Sequence, residues 1–180
     1  LSTAQQVSTL YGDTNTGLQL TVITACAFAP PLQDAIHRFK YEGMPQLHVV
    51  FSHWLMRVWQ AHHTTSDVFV PVPLHVSRQR ERGYNQSELL ARDVATALQV
   101  PLLPKALRRT RKTQQQAHLD AAGRKANVQD AFEADVQMAQ GRRIVLMDDV
   151  LTTGATLIAC ATALLAHGAN DVIALTLARA

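Results

Sequence analysis

The run Ile144-Val145-Leu146-Met147-Asp148-Asp149-Val150-Leu151-Thr152-Thr153-Gly154-Ala155-Thr156-Leu157 gathers residue types that can do chemistry at one point of the chain. Four apolar residues read as a buried parallel strand, two carboxylates end it, and a turn of small residues opens an apolar helix. Such a turn presents backbone N–H groups at the positive end of a helix dipole, where an anion is stabilised. Gly154 lets the backbone come close to that anion. The hydroxyls of Thr152, Thr153 and Thr156 add donors, and Ala155 continues the turn. Asp148 and Asp149, read as ionised, repel a phosphate. They suit the hydroxyl donors of a ribose, a Mg2+ ion, or both. The combination points to a phosphorylated ribose with a metal ion.

Other motifs with this outline do not fit. A Walker A loop needs Gly-Lys-Ser/Thr, and a dinucleotide fingerprint needs Gly-x-Gly-x-x-Gly; the sequence has neither. A haloacid-type phosphatase needs an acid at position 150, where Val150 stands. The plain alternative is a solvated turn before a well-capped helix. A lone Asp-Asp would favour it; paired acids and small hydroxyl residues coinciding at one strand end argue against it.

The run resembles the phosphoribosyl pyrophosphate (PRPP) motif of type I phosphoribosyltransferases, and within them the ComF/GntX-like family. Supporting stretches are Val70-Pro71-Val72-Pro73-Leu74, Arg82-Gly83-Tyr84-Asn85-Gln86, and Arg111 through Phe132. The similarity spans about residues 30–180. It implies an α/β, doubly wound, mostly parallel sheet with helices on both faces. It implies binding of Mg2+–PRPP and transfer of its phosphoribosyl group to an unidentified nitrogen acceptor, with pyrophosphate released. By resemblance, Asp148 and Asp149 hold the ribose hydroxyls and Thr152, Thr153, Gly154, Ala155 and Thr156 hold the 5′-phosphate. Pro73, Leu74, Arg78 and Arg82 then bind pyrophosphate, while Arg111, Lys112, Gln116 and Arg124 lie on a flexible loop that closes over the ligand. No residue is assigned as a direct metal ligand. Lys40-Tyr41 is similar to a family position but has no mechanism attached. ComF-like proteins usually carry an N-terminal zinc ribbon, and these residues include none. The alternatives are a module that binds PRPP or a nucleotide without turnover, or one that binds single-stranded DNA within competence machinery; a homodimer is also compatible.

Length and composition set the frame. One hundred and eighty residues suit one domain with a proper core. The expected division is 1–30, a leader and edge strand left from a longer N-terminus, and 31–180, the phosphoribosyltransferase-like domain. The chain starts at Leu1, which suggests a removed upstream piece. No apolar stretch is long enough to span a membrane. Two cysteines far apart, Cys26 and Cys160, support neither a disulfide framework nor a zinc site and fit a cytoplasmic protein. Net charge is +3, but it is local. Lys105, Arg108, Arg109, Arg111, Lys112, Arg124 and Lys125 face only Asp120, and Arg78, Arg80 and Arg82 face only Glu81. Such basic stretches suit a polyphosphate or a nucleic acid.

Elements must carry these residues to one place. Residues 1–17 read as a poorly specified leader, and Leu18–Phe28 as extended. Helices are expected over Leu32–Tyr41 and from Gln46 to Ala61. Val68-Phe69-Val70 is the first core strand. Asn85 or Ser87 caps the helix that carries Leu89, Leu90, Val94, Ala97 and Leu98. A short strand is expected near Pro101–Leu107, a long polar connection over 108–132, and a third core strand over Arg143–Met147. A helix through Leu157 to Leu165 is closed by Gly168, and Val172–Leu177 is a last strand. Strands alternating with helices imply parallel β-α-β units, whose ligands bind at the carboxyl ends of strands. Of the eight histidines, only His75, in the pyrophosphate segment, invites a test. Trp54 and Trp59 read as core.

Overall fold

The computed structural model describes residues 7–12, 17–62, 65–110 and 131–180. Five strands form the main sheet in the order β1-β2-β7-β6-β3: β1 Val7–Gly12, β2 Gln19–Ala27, β3 Val68–Pro71, β6 Arg143–Leu151 and β7 Asp171–Arg179. Strands β2, β7, β6 and β3 run parallel, and β1 returns antiparallel along β2. Period-2 alternation gives each strand two apolar faces. Leu20, Val22, Val70, Ile144, Leu146 and Ala174 face one way; Ile23, Phe69, Val145, Met147 and Leu175 face the other.

The second face is covered by α1 (Leu32–Tyr41), α2 (His48–Ala61) and α4 (Gln86–Leu98). Phe39, Phe51, Leu55 and Leu90 are its fully buried anchors, with Trp59 seated on Phe69 at 5.8 Å. The first face is covered by the short α5 (Val136–Ala139), which buries Ala139, by α6 (Ala155–Ala166), whose Leu157, Cys160, Ala161 and Leu164 are buried, and by a two-stranded sheet of β4 (Leu107–Arg109) and β5 (Phe132–Ala134). This is the expected doubly wound α/β architecture. A buried hydroxyl pair, Thr24 Oγ1 and Thr176 Oγ1 at 2.9 Å, joins β2 to β7.

Four local expectations need correction. Part of the leader forms β1, because pairing with β2 supplies an order that its own composition does not. The strand near Pro101–Leu107 begins only at Leu107. Pro101 and Pro104 lack N–H donors, so 101–103 makes one isolated bridge, Phe69 to Leu102, beside β3. The segment after β3 contains a helix, α3 (Val76–Arg82), capped at its start by His75 and closed by Gly83 at φ +84°. It buries no side chain, so no apolar period announced it. The connection over 108–132 has strand at both roots; its residues 111–130 lie outside the described residues.

Candidate functional site

The parallel strands β3 and β6 end side by side, and the loops leaving them share a cavity of about 460 Å3. Beyond β3 the Val72 amide still donates to the Met147 carbonyl at 2.9 Å, holding Val72-Pro73-Leu74 against β6. Asn85 fastens the other side. Its Nδ2 donates to the Val72 carbonyl at 3.0 Å, and its Oδ1 accepts from the Ser87 amide at 3.1 Å as the cap of α4. One buried amide side chain therefore ties the loop after β3 to the start of α4.

Asp148 and Asp149 end β6 at this junction. Asp148 Oδ1 accepts from Ser87 Oγ at 3.0 Å and from the Asp149 amide at 2.9 Å. Asp149, 7% exposed, pairs with Lys40 Nζ of α1 at 2.9 Å. Burial pushes the Asp148 carboxyl up to about 7, and the negative charge of Asp149 pushes the same way; Lys40, the Asp149 amide and the Ser87 hydroxyl oppose them. Burial and the neighbouring carboxylate thus both work against the ionised form that the sequence reading gave Asp148.

Beyond the acids the chain turns through Thr152, Thr153 and Gly154 into α6. Gly154 has φ +78°, and a Cβ there would stand 2.7 Å from Cδ1 of Tyr11, so β1 leans on this turn. The Thr153 hydroxyl faces the Ala155 amide at 3.5 Å. Thr152, Gly154, Ala155 and Thr156 line the cavity with Asp148 and Asp149.

Cations surround the rest. Arg78 and Arg82 of α3 line the cavity with Pro73 and Leu74. Arg82 is held on two sides: its Nη1 donates to Gln86 Oε1, and its guanidinium lies 5.0 Å from the centre of the Tyr41 ring. Arg109 comes from β4, against the Phe132 ring at 5.3 Å; burial works against its charge and draws its pKa down. Arg108 points elsewhere and forms a forked pair with Glu133. Lys40, Arg78, Arg82 and Arg109 thus face Asp34, Asp148 and Asp149 across one cleft. The nitrogen of the Gln86 amide is buried there with no hydrogen-bond partner among the described residues.

The cleft therefore gathers Asp148, Asp149, Thr152, Gly154, Ala155, Thr156, Pro73, Leu74, Arg78 and Arg82, with Thr153 just outside its lining. Arg111, Lys112, Gln116 and Arg124 lie outside the described residues. His75 caps α3 through its Nδ1 and is not part of the lining. Reading the sequence missed Ser87 as a partner of Asp148 and the inward turn of Arg109, which no local pattern marks; Gln86 was noticed only as part of the Arg82–Gln86 stretch, without a role. Lys40-Tyr41 was noticed without a role.

No cluster of three or more metal-ligating side chains exists among the described residues. The two carboxylates nevertheless supply the hard oxygen donors that Mg2+ takes. The charge of Asp149 works against ionisation of Asp148, and a divalent cation would relieve that opposition. In donor type, the acid pair fits a Mg2+ ion.

Residues 85–180 match the family model described as the phosphoribosyl transferase domain. The DNA utilization protein YhgH of Escherichia coli K12 is 37% identical over 156 residues, covering 84% of this chain and 68% of that protein. Competence protein F of Haemophilus influenzae is 33% identical over 160 residues, covering 85% and 70%. Among solved structures, glutamine PRPP amidotransferase from B. subtilis, complexed with ADP and GMP, has a TM-score of 0.50 at 21% identity. That match covers 72% of this chain and 26% of the larger one, and concerns the fold.

Proposed function

This chain belongs to the phosphoribosyl transferase domain family, in its ComF-like group, and from that premise we propose that it binds Mg2+–PRPP and transfers the phosphoribosyl group to a nitrogen acceptor. The observation that carries the proposal is the single cavity shared by the acid pair, the Thr152–Thr156 turn and the arginines of α3. Its mix of acceptors and donors suits one ligand with a diol between two anionic ends.

In this reading the turn at the start of α6 holds the 5′-phosphate with its hydroxyls and the helix dipole. Asp148 and Asp149 accept from the ribose 2′ and 3′ hydroxyls. Arg78 and Arg82, beside Pro73 and Leu74, hold the pyrophosphate with forked donors. As the C1–O bond breaks, its electron pair leaves with pyrophosphate and positive charge builds on the ring. The acid pair stabilises that charge. The acceptor nitrogen then forms the C1–N bond, and its surplus proton passes to water. Bound Mg2+ would supply further neutralisation of the pyrophosphate oxygens. Positioning accounts for much of the rate, so no strong base is needed. By the naming of its relatives, the setting is competence and DNA use.

Calorimetry tests the reading directly. Wild type binds PRPP in the presence of Mg2+, and Asp149→Asn weakens that binding roughly 10- to 100-fold, the worth of a charged hydrogen bond in a sheltered site. Absence of PRPP affinity in wild type at high Mg2+ ends the proposal. A second reading, single-stranded DNA binding, is supported by the basic residues near 105–125 and the name of the Escherichia coli relative.

A further inference from the structure

The stretch Arg82-Gly83-Tyr84-Asn85-Gln86 joins α3 to α4 and is folded so that its two ends meet. Gly83 closes α3 in the left-handed region, which turns the chain back at once. Tyr84 donates its hydroxyl to the Phe39 carbonyl and so anchors the turn to the end of α1. Asn85 fixes the other side through the Val72 carbonyl and the cap of α4. Gln86, the first residue of α4, is thereby set where its Oε1 accepts from Nη1 of Arg82. At the end of α1 the Tyr41 ring lies 5.0 Å from the same guanidinium, and His37 steadies that ring at 5.0 Å. Arg82 is thus held by an amide from α4 and a ring from α1.

Neither contact is explained by stability. Gln86 is 1% exposed, and Arg82 dictates how its amide is turned: a guanidinium has donors only, so the amide oxygen must face it. The nitrogen is left buried, with no partner among the described residues. A buried donor without an acceptor costs stability, and an apolar side chain of similar size would avoid that cost. Tyr41 is 59% exposed, so its ring gains little from burial. Their joint effect is directional. The ring covers one face of the guanidinium and the amide engages one end of it, which sets its plane. The other donors of the fork have no partner among the described residues, and Arg82 lines the cleft.

Building on the proposed PRPP site, we infer that Gln86 and Tyr41 are positioning residues: they hold the Arg82 guanidinium in one pose before the ligand arrives, ready for the pyrophosphate end. A long side chain that is mobile in the empty site loses its rotameric freedom when it grips an anion, and one already ordered has little left to lose. Forked donation to two oxygens also requires the plane of the guanidinium to be set, which charge alone does not supply. The 5′-phosphate end, at the turn before α6, depends on neither residue. The two side chains therefore favour the pyrophosphate end of the ligand selectively.

The test is calorimetry in Mg2+ with two probes, inorganic pyrophosphate and ribose 5-phosphate, on Gln86→Met, Tyr41→Leu and Tyr41→Phe. Gln86→Met and Tyr41→Leu each weaken pyrophosphate binding roughly three- to tenfold, the effect of having to order one long side chain on binding. Ribose 5-phosphate binding stays within about twofold, inside the error of treating separate sites as independent. Tyr41→Phe, which keeps the ring, retrieves what Tyr41→Leu loses. In an Arg82→Met background neither substitution has a further effect, because both act through that side chain. The exposed Tyr41 carries the test alone if Gln86→Met does not fold. Equal loss of both probes overturns the inference, as does unaltered pyrophosphate binding in either variant, or a further loss in the Arg82→Met background. The pose is also read without ligand, by 15N relaxation of the Arg82 Nε–H group, ordered in wild type and mobile in Gln86→Met and Tyr41→Leu. An Arg82 equally mobile in all three overturns the inference. Wild-type protein that binds neither probe refutes the PRPP reading instead, and the relaxation still decides whether the two residues hold Arg82.

Discussion

Replacing Asp148 by Asn should make the folded protein more stable while disabling its site, and the gain should depend on pH in a way the geometry fixes. The Asp148 carboxyl is raised from its ordinary 3.8 to about 7. Below both values it is protonated whether the chain is folded or not, and it contributes nothing to the balance. As pH rises from the lower value to the higher, the unfolded chain gives up this proton and the folded chain keeps it, so stability falls. Above the higher value the penalty is complete. About three units correspond to a ceiling of about 4 kcal/mol. The open side of the cleft and the coupling to Asp149 reduce the realised share to roughly 1–2 kcal/mol, or a Tm increase of roughly 2–8 °C for a chain of this size. An Asn at 148 can still accept from the Ser87 hydroxyl and the Asp149 amide, the two donors that Asp148 Oδ1 engages. Thermal melts of wild type and variant near pH 4 and near pH 8 measure the effect. The two proteins should melt together in acid and diverge in alkali, with the variant higher. An equal difference at both pH values, or a less stable variant near pH 8, would refute the electrostatic account of this acid pair.

Two further outcomes follow from contacts around the cleft. Gly154→Ala places a Cβ 2.7 Å from Tyr11 Cδ1 at a backbone φ of +78°; it should cost about 2 kcal/mol in urea unfolding, and Tyr11→Ala should relieve only the steric part, leaving about 1 kcal/mol. Arg108→Ala should leave retention of single-stranded DNA on filters at low salt as in wild type, because Glu133 already engages that guanidinium through two hydrogen bonds; a marked loss would place Arg108 in a DNA interface.

What could be read from the sequence was whatever an apolar period announces. Helix α1 spans the expected Leu32–Tyr41, and β6 runs from Arg143 into the acids before the turn to α6, because burial of all four residues from Ile144 to Met147 leaves its mark in residue types. Elements stabilised by a partner rather than by their own pattern were not legible. Strand β1 depends on pairing with β2. Helix α3 buries no side chain. Strands β4 and β5 are three residues each and meet across a long connection. The site divides in the same way. Its contiguous part, Asp148 to Thr156, was visible as a motif. Its dispersed part, Lys40, Ser87, Gln86 and Arg109, comes from α1, α4 and β4, and is assembled only by tertiary packing.

The hydroxyl pair between β2 and β7 bears on how the strands find their alignment. Thr24 lies opposite Thr176, and Thr176 lies opposite Asp148. Sliding β2 by two positions would keep every apolar side chain on its proper face, since the face repeats every second residue. Hydrophobicity alone therefore tolerates the slide. It would, however, set the Thr24 hydroxyl against Ala174 or Ala178 and deprive both threonines of their mate in a dry interior, at about 1–3 kcal/mol for each. This small polar latch thus distinguishes between shifted zippers that greasy side chains treat as equivalent. It sits on the same transverse row as the first carboxylate of the site, where an error of one notch would carry the acids away from the helix that must meet them.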